Sequence, residues 1–132
     1  MSLQANGLFD VQLNPQKPDE PAGDPGINRL SINKQFHGML DGHSTGQMLS
    51  VGTGIANSAG YVAIERFSGT LNGQAGTFAL QHTGIMTRGT PQLTISIVPD
   101  SGTDQLVGIA GTMTIEIVDD KHLYTIDYTL DQ

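Results

Sequence analysis

Residues 60–82 read Gly60-Tyr61-Val62-Ala63-Ile64-Glu65-Arg66-Phe67-Ser68-Gly69-Thr70-Leu71-Asn72-Gly73-Gln74-Ala75-Gly76-Thr77-Phe78-Ala79-Leu80-Gln81-His82. On either side of Asn72-Gly73, apolar and polar residues alternate with the period of a half-buried strand. Asn-Gly tolerates positive φ at both central positions of a type I′ turn. Counting outward from that turn pairs Leu71 with Gln74, Phe67 with Phe78, Glu65 with Leu80 and Ala63 with His82. The apolar partners match, and a slip of one residue would turn every side chain to the other face. The stretch is a β-hairpin with one apolar face.

The same signature recurs along the chain. Eight runs alternate, at about 3–13, 28–40, 43–55, 60–71, 74–87, 92–99, 109–118 and 122–131. Asp41-Gly42 and Asp119-Asp120 offer further tight turns. Around Asp41-Gly42 the arithmetic pairs Phe36 with Gln47, Lys34 with Leu49 and Ile32 with Val51. Around Asp119-Asp120 it pairs Ile117 with His122, Ile115 with Tyr124 and Met113 with Ile126. Residues 14–27 hold Pro15, Pro18, Pro21 and Pro25 and read as a loop between strands one and two, because proline cannot donate to a ladder. Residues 101–108 suit a short helical turn.

One apolar face shared by eight successive antiparallel strands fits a barrel or a sandwich. No run carries the Lys-rich or Pro-broken pattern of a protected edge. The expected fold is therefore an all-β, eight-stranded, up-and-down antiparallel barrel, lipocalin-like in its meander, occupying 1–132 as one domain. Eight strands enclose an interior that side chains fill or that holds one small ligand.

Composition removes several function classes. The chain has no cysteine, so disulfides and thiolate chemistry are absent. Its net charge is -7, with only six Lys and Arg, scattered, which argues against nucleic acid and against anionic membrane surfaces. The same balance disfavours anionic ligands. No apolar run is long enough for a membrane span, and the first residues carry no basic or apolar signal segment, so the expected location is cytoplasmic. No phosphate loop, dinucleotide fingerprint or nucleophile elbow is present, and no cofactor is expected.

The interior face carries polar residues that packing does not require: Lys34, Gln47, Glu65, His82 and His122, with the hydroxyls of Tyr61, Tyr124 and Tyr128. With Phe67 and Phe78 these are the candidate ligand-binding residues. Because the turns alternate ends, Tyr61, His82, His122 and Tyr124 belong to the end that carries the proline-rich loop, where a pocket should open. Glu65 and His82 are diagonal neighbours across the hairpin and are the candidate catalytic pair. A carboxyl in an apolar barrel should have a raised pKa, which suits a general base; the bland alternative is a structural ion pair with Lys34 or Arg66. Glu65, His82 and His122 resemble a two-histidine, one-carboxylate metal set, but the spacing matches no ligand motif and no metal is expected. His37 and His43 fall on opposite faces. Outside, Met39, Met48, Val62, Ile64, Ala79 and Ile85 suggest a patch for a homodimer.

Gly60–Phe78, Leu80-Gln81-His82-Thr83-Gly84, residues 99–111 and His122-Leu123-Tyr124-Thr125-Ile126-Asp127-Tyr128 together resemble an uncharacterised bacterial family known only as a domain of unknown function. The resemblance implies an allene-oxide-cyclase-like barrel and carries no activity, since fold does not imply function. The expected function is the binding of one small, mainly apolar molecule with at least one polar group. A cofactor-free isomerase or cyclase using Glu65, and a structural barrel with a filled interior, are the alternatives.

Overall fold

The computed structural model describes residues 2–16 and 26–130. It is a closed barrel in which eight strands pair in chain order, β1-β2-β3-β4-β5-β6-β7-β8, with β1 returning to β8. The strands are β1 (Leu3–Gln16), β2 (Ile27–Gly38), β3 (Leu40–Gly52), β4 (Ala59–Leu71), β5 (Gln74–Thr87), β6 (Thr90–Ile97), β7 (Ile109–Val118) and β8 (Lys121–Leu130). A 3-10 turn, Asp104–Leu106, falls in the segment expected to hold a helical turn.

Two of the three sequence registers hold. Leu71 faces Gln74 and Phe67 faces Phe78 around Asn72-Gly73, where both turn residues have positive φ. Asp119 and Asp120 also have positive φ, and Ile117 faces His122. Arg88-Gly89 makes a further turn of this kind that the sequence reading did not mark.

The third register is corrected. β2 and β3 turn at Met39, not at Asp41-Gly42, so Lys34 faces Ser44 and Phe36 faces Gly42. The shift is an odd number of residues and inverts β3. Ser44 and Met48 point inward, while Gln47, Leu49 and Val51 point outward. Gly42 is instead a strand residue opposite Gly69. A Cβ at Gly42 would lie 2.3 Å from the Ser68 carbonyl oxygen, so only glycine fits where β3 crosses β4 so closely. The corner at Met39 is pinned by neighbours: its N–H donates to the Asn6 carbonyl, and its carbonyl accepts from Asn72 N–H.

Strand one also differs from expectation. It continues to Gln16, and Pro15 lies in the ladder opposite Leu30. β8 accompanies β1 only as far as Phe9, so beyond that point β1 has no second partner strand among the described residues, and proline is tolerated there. The rest of the proline-rich connection, 17–25, lies outside the described residues.

The interior has two halves. Phe36, Leu40, Phe67, Leu71, Phe78, Leu106 and Ile126 are fully buried and close-pack one end. Tyr124 and Tyr128 belong to this half. The Tyr124 hydroxyl accepts from the Leu40 N–H at 2.9 Å and lies 2.9 Å from the His37 carbonyl oxygen. Tyr128 Oη accepts from Asn72 Nδ2 at 2.6 Å. The β6–β7 connection closes this end, with Ser101, Thr103 and Gln105 bonded along β5. At the other end β6 and β7 diverge, sharing only the pairs Ile95–Met113 and Ser96–Thr112.

Candidate functional site

Four successive strands each send one polar side chain into a single layer at mid-barrel. Lys34 on β2 faces Ser44 on β3, Glu65 follows on β4, and His82 lies one diagonal step away on β5. All four are buried. Glu65 is the hub. Its Oε1 accepts from Ser44 Oγ at 2.7 Å, and its Oε2 accepts from Lys34 Nζ at 2.7 Å and lies 2.7 Å from His82 Nε2. Gly46 stands opposite Glu65, and a Cβ there would come within 2.8 Å of the Glu65 Cβ. The bare position gives the carboxylate its room.

Burial alone would raise the Glu65 pKa. The His82 hydrogen bond and the charge and hydrogen bond of Lys34 outweigh it and bring the carboxyl down to about 2. The raised value expected from the sequence is thus reversed, because that argument weighed desolvation without the donors. The ion pair with Lys34 that the sequence offered for Glu65 is present.

An ionised carboxylate only accepts, so His82 Nε2 carries its hydrogen toward Glu65. Nδ1 of His82 then has no partner among the described residues. Lys34 likewise gives one of its three N–H groups to Glu65 and finds no second acceptor there. Its ammonium stands 4.9 Å from the Phe9 ring centre and 5.9 Å from that of Phe36, where the ring faces attract a cation.

On the mouth side of this layer the barrel opens into a cavity of about 520 Å³. Val11, Leu13, Ile32, Met48, Leu93 and Ile115 are among the apolar residues of its wall, and Lys34 and His82 reach its base. Glu65 does not line it. Tyr61 stands at the side, its ring centre 6.4 Å from that of His82, and burial with the nearby Glu65 charge raises its phenol pKa. Gly84 faces Tyr61 and leaves space for the ring. His122 lines the mouth and packs on Phe9 at 5.0 Å between ring centres.

Of the residues named from sequence, Lys34, Tyr61, His82 and His122 therefore share one cavity, at the end where β1 stops and β2 starts, with Glu65 beneath them. Phe67, Phe78, Tyr124 and Tyr128 lie in the packed half. Gln47 is on the outer wall beside Leu49 and Val62. The inversion of β3 also hid Ser44, whose only sequence signal is its place opposite Lys34 in the correct register. His122 packs on Phe9 apart from the Glu65 layer, and among the described residues no group of three His, Cys, Asp or Glu is placed to hold a metal ion. His37 and His43 both face outward, bonded to Asp10 and Asn33.

These features define a class: a closed antiparallel barrel, packed at one end and hollow at the other. The chain belongs to the family described as "Protein of unknown function (DUF3224)", whose model matches residues 5–128. It is similar to a crystal structure of a protein with unknown function from the DUF3224 family of Shewanella oneidensis MR-1. The TM-score is 0.93 at 40% identity, over 100% of this chain and 99% of that one. Curated proteins yield no match. The resemblance read from residues 60–84, 99–111 and 122–128 is thereby borne out. Among the described residues no helix is long and apolar enough to cross a membrane.

Proposed function

We propose that this barrel binds one small, mainly apolar molecule in its hollow end. The observation that carries the reading is the cavity of about 520 Å³, aliphatic-walled and open at one mouth, in a barrel whose other half is close-packed. That volume lies within the usual range for ligand sites, roughly 300–1,000 Å³. A purely structural barrel would gain stability by filling the space. Titration with a neutral apolar fluorophore such as N-phenyl-1-naphthylamine tests it. Saturable one-to-one binding, lost in the cavity-filling variant Ala63→Phe, is the expected result. Binding that does not saturate, or that Ala63→Phe leaves intact, would remove the proposal.

The 2.7 Å contact between Glu65 and His82 favours one second reading, a cofactor-free isomerase or cyclase. In it His82, oriented by Glu65, moves the proton. Catalysed deuterium exchange into a bound ketone, abolished by His82→Gln with binding retained, distinguishes it from simple binding.

The outer wall supports a homodimer. Leu49, Val51, Val62, Ile64 and Ile85 are each at least 40% exposed on neighbouring strands. Among the described residues, the outward neighbours Gln47, Arg66, Gln81 and Thr83 include no acid. Two copies of charge -7 meeting here would keep their like charges apart. A cytoplasmic location rests on the sequence alone.

A further inference from the structure

We infer that the cavity ligand carries a hydrogen-bond-accepting head of carboxylate type, seated on Lys34 and His82 with its apolar tail toward the mouth. This rests on the cavity-binding reading and specifies its ligand. Polar atoms are sparse in the wall, and at its base they are concentrated in two side chains, Lys34 and His82. Each is spent on one contact to Glu65 and on no other hydrogen-bond partner among the described residues. Lys34 therefore brings two N–H donors to the base of an apolar cavity. Lys34 is 5% exposed and lines the cavity. Donors in such a place are costly until an acceptor arrives.

Glu65 takes one of the three Lys34 N–H groups and is not the partner of the other two. Ser44 takes one of its oxygens, and Lys34 and His82 share the other. Tyr61 and His122 stand at the wall and the mouth rather than at the base. What complements this base is thus an acceptor next to an ammonium.

Charge decides among heads. An ammonium head would meet the Lys34 ammonium in a medium of low dielectric and be repelled. A hydroxyl would satisfy one donor. A carboxylate would satisfy both Lys34 donors at once. The net charge of -7 opposes an anion only from afar. Surface charges more than about 8 Å away are screened at physiological salt, whereas Lys34 acts in contact. The local cation outweighs the global balance that, read from composition, disfavoured anions.

The test uses decanoate, 1-decanol and decylamine, identical but for the head, each displacing N-phenyl-1-naphthylamine. Decanoate is expected to bind roughly ten- to a hundredfold tighter than decanol, the span of a charge-assisted hydrogen bond, with decylamine weakest. In the double variant Lys34→Met with Glu65→Gln, which removes both charges together, decanoate should fall to the level of decanol while decanol still binds. If that variant fails to fold, carboxyl-¹³C decanoate on the unaltered protein gives the same answer, through NMR contacts between the carboxylate and the Lys34 side chain. Equal affinities for the three heads, a preference for decylamine, or a carboxylate with no contact to Lys34 overturns the head assignment and leaves the cavity reading standing. No displacement by any of the three overturns both.

Discussion

Replacing Glu65 by Gln keeps the side-chain shape and removes the charge at the centre of the buried layer. Three donors, from Ser44, Lys34 and His82, would then face one carbonyl oxygen and an amide that itself donates. The Lys34 ammonium would be left without its counter-charge at 5% exposure. Breaking a buried pair from one side costs roughly 3–5 kcal/mol. An independent route gives a similar magnitude. The Glu65 pKa falls from 4.5 to about 2, equivalent to about 3 kcal/mol of preference for the ionised form in the folded barrel. For a chain of this size that is a loss of roughly 10–20 °C in Tm. Urea midpoints at unchanged slope and thermal melts followed by circular dichroism measure it.

The pH dependence follows from the sign of the shift. A carboxyl with a depressed folded pKa contributes its full stability above the unfolded value and loses it as pH falls through the folded one. The gap between the two proteins should thus be widest above pH 4.5 and should close toward pH 2. Lys34→Met with Glu65→Leu, which replaces both ions by apolar groups, should recover much of what Glu65→Gln loses. A Glu65→Gln variant within about 1 kcal/mol of the unaltered protein at pH 7, or a gap that stays constant down to pH 2, would refute the reasoning.

Tyr124→Phe removes the hydroxyl that satisfies the Leu40 N–H in the packed half; a loss of about 1–3 kcal/mol in urea, with apolar-probe affinity unchanged, is expected. Gly84→Ala would place a Cβ 2.2 Å from a Tyr61 ring carbon. The ring must move into the cavity, so probe affinity should drop severalfold at a stability cost of roughly 1–3 kcal/mol; unchanged affinity would show that Tyr61 does not shape the site. Val62→Glu puts a charge in the outer apolar patch and should convert a dimer to a monomer by light scattering without destabilising the barrel. A monomeric unaltered protein at micromolar concentration would end the dimer proposal.

What was legible in the sequence, and what was not, follows one physical line. Asn72-Gly73 and Asp119-Asp120 fix their registers because only positive φ at both positions closes so short a loop, and the residues declare it. The diagonal from Glu65 to His82 followed from that arithmetic, and half of the buried layer with it. Between β2 and β3 the local chemistry of Asp41-Gly42 suited a tight turn, but the chain turns earlier, at Met39. The choice is made by tertiary curvature: Gly42 is required where β3 passes close to β4, and the corner at Met39 is held by bonds from β1 and β4 that no local pattern displays.

The hydrophobic pattern failed to correct this error, and the reason bears on function. In a strand with one wet face, Leu49 and Val51 would have to be inside, which is what the misplaced turn required. They are outside, 47% and 40% exposed, and Leu49 lies directly opposite Val62, itself 50% exposed. The last outward residues of β3, Leu49 and Val51, are apolar on the face that alternation assigns to water. The misreading and the dimer proposal thus have one cause, an outer wall built as if it were to be covered. The inner face of the same strand was misread for the complementary reason: Ser44 and Gly46 look like solvent-facing residues, yet they are small because Glu65 and its donors occupy the space beside them. A buried ionic layer selects small and polar neighbours, and so erases from the sequence the apolar signal by which an interior is ordinarily recognised.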